Sequence, residues 1–83
     1  MKNRKEYQKK YDELWERSNS TSTSTEYWES LVKDIEDFLS DPGIPKDLSE
    51  ITAFGMEESA VMTLKAVEII NTKKKNGGNN GKR

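Results

Sequence analysis

Apolar residues recur along the chain at the three- and four-residue spacing of amphipathic helices. The pattern predicts helices at residues 1–17, 26–40, 47–54 and 56–75. The second is the best defined, because its apolar positions form one uninterrupted stripe. That stripe consists of Trp28, Leu31, Val32, Ile35, Phe38 and Leu39.

Residues that favour helix ends lie between these segments. Thr23 and Glu26 have the spacing of a capping box, which predicts the start of the second helix. Asp41-Pro42-Gly43 should end it, with the glycine at the positive φ of a type II turn. Asp47 is the expected cap of the short third helix, and Gly55 is its expected left-handed stop.

Two segments lack the apolar residues needed for a core. Residues 18–25 contain only serine, threonine and asparagine, which predicts a flexible Ser/Thr linker. Residues 73–83 are rich in lysine, glycine and asparagine and should form a disordered tail. We therefore predict an all-α fold, a small bundle of three or four helices within residues 1–72 followed by a disordered basic C-terminal tail.

Segment 56–75 carries apolar residues on nearly every side. One interpretation makes it the central helix of the bundle, and another leaves part of its surface for a second chain, as in a homo-oligomer. A strand over part of the segment is a further alternative. The predicted core consists of Trp15, Trp28, Leu31, Ile35, Phe38, Ile51, Phe54, Leu64, Val67 and Ile70.

The composition argues against catalysis and against bound cofactors. The 83 residues include no cysteine and no histidine, which removes the usual ligands of zinc, haem and iron–sulfur clusters. Asp34, Asp37 and Asp41 share one side of a helix, but no calcium-binding loop accompanies them. No apolar run has the length of a signal peptide or a membrane span, so we expect a cytoplasmic protein without membrane contact. We predict no enzyme, no cofactor and no metal.

Charge is segregated along the chain, although the net charge is only −1. Residues 1–17 carry a net charge of +2, residues 26–58 carry −8, and residues 65–83 carry +5. Such asymmetry affects association and solubility more than fold. One interpretation is intramolecular pairing between the acidic centre and the basic ends, and the other is an acidic surface for a basic partner.

The leading functional hypothesis is a non-enzymatic binding protein whose acidic centre docks on a larger protein, including one whose own groove holds nucleic acid. Short chains without histidine and cysteine resemble the accessory or inhibitory proteins of phages and mobile elements, a likeness of general type that no motif carries. The predicted contact residues are Asp34, Glu36, Asp37, Glu57 and Glu58.

The alternative hypothesis is a nucleic-acid-binding module. Residues 47–64 resemble a helix-turn-helix with its turn at Gly55, although Ile51 stands where a small residue is expected. Glu57 and Glu58 would repel a phosphate backbone from the second helix, which favours a packing role for this segment. Non-specific contacts would come from the tail. Its basic residues are Lys73, Lys74, Lys75, Lys82 and Arg83.

Overall fold

The computed structural model describes the backbone of residues 3–80 and the side chains of residues 3–73. These residues form helices and no strand, which confirms the all-α prediction. The elements are α1 (Arg4–Ser18), α2 (Thr25–Leu39), α3 (Lys46–Ile51), a π-helical turn (Thr52–Glu57) and α4 (Glu58–Asn80). The last three follow one another without a break, so the described chain forms three helical rods.

The third rod differs from the two helices expected at 47–54 and 56–75. The backbone continues through Gly55 in the π-helical turn, where a left-handed stop was expected. Neither Gly55 nor Gly43 has a positive φ, so both glycine predictions are wrong. The last helix was predicted to run to residue 75 into the basic tail, and the described backbone is helical to Asn80. Residues 81–83 of that tail lie outside the described residues.

Three helix starts were assigned to the wrong residues or missed. Asn3 caps α1 in a capping box with Glu6, with bonds of 3.0 Å in both directions. Ser24, one residue after the predicted cap, accepts a hydrogen bond from the backbone of Tyr27 and begins α2. Pro45 precedes α3, which matches the preference of proline for helix starts. Asp47, the predicted cap, pairs with α1 instead.

The core lies where α2 meets the other two rods. Trp28 is almost fully buried there, and its indole Nε1 donates a 2.8 Å hydrogen bond to the carbonyl of Ser22. Its ring also meets the edge of Tyr27 at a centroid distance of 5.3 Å. The buried apolar residues are Tyr7, Leu14, Trp28, Leu31, Ile35, Phe38, Leu48, Met56, Ala60 and Val67.

Half of the predicted core is confirmed and four members are wrong. Trp28, Leu31, Ile35, Phe38 and Val67 are buried, and Leu64 is partly buried against them. The four exposed residues are Trp15, Ile51, Phe54 and Ile70.

The exposure of Trp15 and Ile70 follows from helix geometry. Helix α1 buries Tyr7 and Leu14, seven residues apart, and Trp15 lies about 100° further round the helix. Trp15 is therefore 50% exposed. On α4 the buried Val67 likewise leaves Ile70 on the open side.

The π-helical turn explains the exposure of Phe54. Leu48, Thr52, Met56 and Ala60 are all buried, at a strict four-residue spacing. In an α-helix this spacing drifts by about 40° at each step. A π-helical turn contains more residues than an α-helical turn, so side chains spaced four apart drift in the opposite direction. The turn therefore keeps all four side chains on one side of the rod. Phe54 consequently points away and is 73% exposed.

The Ser/Thr segment is tied to the helices by hydrogen bonds. Besides holding Trp28, it forms local turns in which serine hydroxyls accept from backbone amides two residues later. The side-chain amide of Asn71 on α4 donates to the carbonyl of Thr23 and to the hydroxyl of Thr25, both at 3.0 Å. The segment therefore joins α2 to α4, a role that its composition did not indicate.

Gly43 is required by a close approach. Its amide donates a 2.9 Å hydrogen bond to Asp41, which also accepts from the Tyr7 hydroxyl at 3.1 Å. A Cβ atom at Gly43 would lie 2.5 Å from that hydroxyl. Since the Tyr7 ring is buried, it has little freedom to move aside.

We expect Gly43→Ala to lower the free energy of unfolding by about 1–3 kcal/mol, the usual cost of overpacking. Tyr7→Phe alone should cost about 1 kcal/mol for its lost hydrogen bond. The double variant should lose less than the sum, because removing the hydroxyl makes room for the methyl group. Urea unfolding of the four proteins measures this coupling, and strictly additive losses would contradict the close-approach explanation.

Thr52 is fully buried, and its hydroxyl has no hydrogen-bond partner among the described residues. We expect Thr52→Val, which keeps the side-chain shape, to raise the free energy of unfolding by about 1 kcal/mol. Thr63→Val is the matched control, because the Thr63 hydroxyl is partly buried and already donates to the carbonyl of Ser59 at 2.9 Å. Equal effects of the two substitutions in urea unfolding would show that the orphaned hydroxyl carries no penalty.

Candidate functional site

Two carboxyl groups from different rods meet where the π-helical turn packs against α2. The side chains of Glu57 and Glu36 lie within hydrogen-bonding reach of each other. The pKa of Glu57 is raised above its ordinary value, first by partial burial, then by the charge of Glu36 and a hydrogen bond with it, and last by the charge of Glu58. We call these two residues the Glu36–Glu57 pair.

No basic side chain balances this pair within the described part of the chain. Ion pairs there go to other acids: Arg4 to Asp47 at 2.6 Å, Arg17 to Asp34 at 2.7 Å and Lys33 to Asp37 at 3.6 Å. Among residues with described side chains, no lysine or arginine lies within 4 Å of Glu36, Glu57 or Glu58. The pair therefore keeps negative charge that the fold leaves unbalanced.

The five acidic residues predicted as contact residues have different surroundings in the structure. Asp34 is largely neutralised, because its pair with Arg17 forms part of the contact between α1 and α2. Asp37 is exposed and pairs weakly with Lys33 one turn away on α2. Glu58 follows the pair along the chain and borders a groove on the outer side of α4. Of the five, Glu36 and Glu57 are the two carboxyl groups from different rods that interact with each other.

Asp47 shows how a basic partner changes such a group. Arg4 contacts both of its carboxylate oxygens, at 2.6 and 3.1 Å, and links α1 to α3. The hydrogen bond from Arg4 is the main reason that the pKa of Asp47 is lowered. A guanidinium group placed beside Glu57 would likewise lower the pKa of that carboxyl group.

The aspartates Asp34, Asp37 and Asp41 do not converge on a cation site. Asp34 and Asp37 are engaged by basic side chains, and Asp41 accepts hydrogen bonds from Tyr7 and Gly43. No group of three or more carboxylates within the described residues is arranged to hold a metal ion.

Residues 47–64 do not have the geometry of a helix-turn-helix. A continuous rod with a π-helical turn replaces the two crossing helices that would place one of them in a DNA groove. Of the basic residues assigned to nucleic acid, Lys73 is exposed on α4. The side chains of Lys74 and Lys75, and the whole of Lys82 and Arg83, lie outside the described residues.

The sequence left open whether part of the α4 surface packs within the bundle or meets a second chain. Ala60 and Val67 are buried, while Met62 and Ile69 are largely exposed on the other side. The sequence does place apolar residues all round this helix. Their periodicity alone did not show which side packs against the other helices. No described helix is long and apolar enough to cross a membrane.

Comparisons with protein-family models, with curated proteins and with solved structures give no match for this chain.

The raised pKa of Glu57 predicts a dependence of stability on pH. Since the folded state holds this proton more tightly than the unfolded state, stability falls as pH rises from the ordinary value of 4.5 through the raised pKa. Glu57→Gln should therefore remove part of the loss of stability between pH 4 and pH 7. Urea unfolding at both pH values measures the difference. Glu50→Gln, at an exposed position of α3, is the control, and an equal change in both variants would contradict the prediction.

Proposed function

We propose that this chain is a non-enzymatic binding protein that docks a basic segment of a larger protein on the Glu36–Glu57 pair. The observation that supports the proposal is that the partly buried Glu57 interacts with the carboxyl group of Glu36 on another rod, while the ion pairs among the described side chains go to Asp47, Asp34 and Asp37. A lysine or arginine from a partner would supply the missing charge. Glu58 adds negative charge beside the pair.

The free protein carries an electrostatic cost at the Glu36–Glu57 pair. Two carboxylates in contact repel each other, and partial burial of Glu57 raises that cost. A partner cation removes the repulsion while forming charge-assisted hydrogen bonds of its own. Docking is therefore favoured at the pair over acids such as Asp34 and Asp47, which already have arginine partners.

The surrounding charge should help the partner to approach. Residues 26–58 carry a net charge of −8, so the field around the pair attracts basic surfaces before contact. Occupation of a basic surface that the partner uses for another ligand would make the chain an accessory or inhibitory protein.

Charge reversal tests the site. The double variant Glu36→Lys/Glu57→Lys should bind a lysine- and arginine-rich peptide at least tenfold more weakly than the wild type in titration calorimetry. Glu13→Lys/Glu16→Lys on α1 is the matched control, because it changes the net charge equally at exposed positions away from the pair. Circular dichroism checks that both variants remain helical. Equal weakening by both variants would show that net charge alone acts and would overturn the proposed site.

Proton release gives a second, independent readout. A bound cation should lower the pKa of Glu57, so binding just above pH 4.5 should release a proton that binding at pH 8 does not. Calorimetry in two buffers with different ionisation enthalpies measures that release. A wild-type complex without proton release, or one whose release persists in Glu57→Gln, would contradict docking at the pair.

A further inference from the structure

The outer side of α4 carries an apolar stripe without a partner in the described chain. Met62 is 70% exposed and Ile69 is 56% exposed. They are seven residues apart and therefore lie on nearly the same line along the helix. The line is opposite to Ala60 and Val67, which α4 buries. We call Met62, Ala66 and Ile69 the outer stripe.

Charges at the two ends of the outer stripe have opposite signs. Glu58 stands four residues before Met62, and Lys73 stands four residues after Ile69. Met62 and Ile69 are equally far from a point between Lys65 and Ala66, and so are Glu58 and Lys73. In a second copy that runs in the opposite direction, each of these residues therefore lies opposite the other member of its pair. Such a surface is complementary to itself when two copies run antiparallel.

We propose that two copies of this chain associate through the outer stripe as an antiparallel helix pair centred between Lys65 and Ala66. In this register Met62 lies level with Ile69 of the second copy, and Glu58 lies level with its Lys73. The twofold symmetry repeats both pairings. A parallel pair would instead bring Glu58 and Lys73 each to the level of its own copy, so that like charges face each other at both ends of the stripe. Lys65 lies close to its own copy in either orientation.

The shape of α4 supports the same register. One shallow groove beside Met62 is lined by Gly55, Glu58, Ser59, Met62, Thr63 and Ala66. The next groove surrounds Ile69 and is lined by Lys65, Glu68, Ile69, Thr72 and Lys73.

In the antiparallel pair Met62 of one copy meets the groove around Ile69 of the other, and Ile69 meets the groove around Met62. This is ridge-into-groove packing, in which small residues such as Gly55 and Ala66 allow close approach. The dimer leaves the Glu36–Glu57 pair accessible, because Glu57 faces α2 and the outer stripe faces away from it.

Disulfide trapping tests the register, since the natural chain has no cysteine. In the antiparallel pair two Met62 positions are separated by about 10 Å along the axis, too far for a disulfide. Met62→Cys alone and Ile69→Cys alone should therefore remain uncrosslinked under mild oxidation. Their equimolar mixture should give a crosslinked dimer on a non-reducing gel. Ala66→Cys, next to the centre, should crosslink with itself.

Two other outcomes of the crosslinking experiment would overturn the proposal. Crosslinking of Met62→Cys alone in the same yield as the mixture indicates a parallel pair. Absence of a crosslink in every sample, together with a monomeric mass for the wild type in sedimentation at millimolar concentration, shows that the stripe is not an interface of this kind.

Charge exchange tests the pairing at the ends of the outer stripe. Glu58→Lys and Lys73→Glu should each dimerise more weakly than the wild type, because each creates like charges at the same level. A mixture of the two variants should form a heterodimer that is tighter than either homodimer in sedimentation. No preference for the heterodimer would contradict the proposed register. Glu36→Lys/Glu57→Lys should dimerise like the wild type, which separates this test from that of the binding site.

Discussion

The π-helical turn at Thr52–Glu57 is the constraint on which most of the structure depends. It joins two α-helical segments into one rod while changing the angular spacing of side chains around the axis, so that side chains spaced four apart remain on the core side. Glu57 at the end of this turn lies beside Glu36 on α2, and Met62 and Ile69 lie on the outward side of α4. Both proposed interaction surfaces therefore follow from where the turn lies.

The acidic centre of the chain is divided by the fold into balanced and unbalanced groups. Arg17 and Arg4 come from α1 and pair with Asp34 and Asp47 on the other two rods, so part of the segregated charge holds the rods together. The pairing between basic N-terminal and acidic central residues that the sequence left open therefore exists in part. Among the described side chains it does not extend to the Glu36–Glu57 pair, so the binding hypothesis is confined to that pair.

The two surfaces differ in physical character and in position. The Glu36–Glu57 pair attracts positively charged groups, and this attraction weakens as the salt concentration rises. The outer stripe offers apolar area with oppositely charged ends, which favours one orientation of an identical chain. Because the pair faces α2 and the stripe faces away from it, a dimer would carry two pairs that remain open to partners.

The sequence by itself determined the helices, because the apolar repeat of α2 and the polar segments between helices are local properties. It also determined the segregation of charge. It did not determine the side on which Trp15 lies, since a step of one residue rotates a side chain by about 100°. Nor did it show that the rod continues through Gly55. Only the tertiary structure decided these points and the contact of Glu36 with Glu57, because each depends on how one rod packs against another.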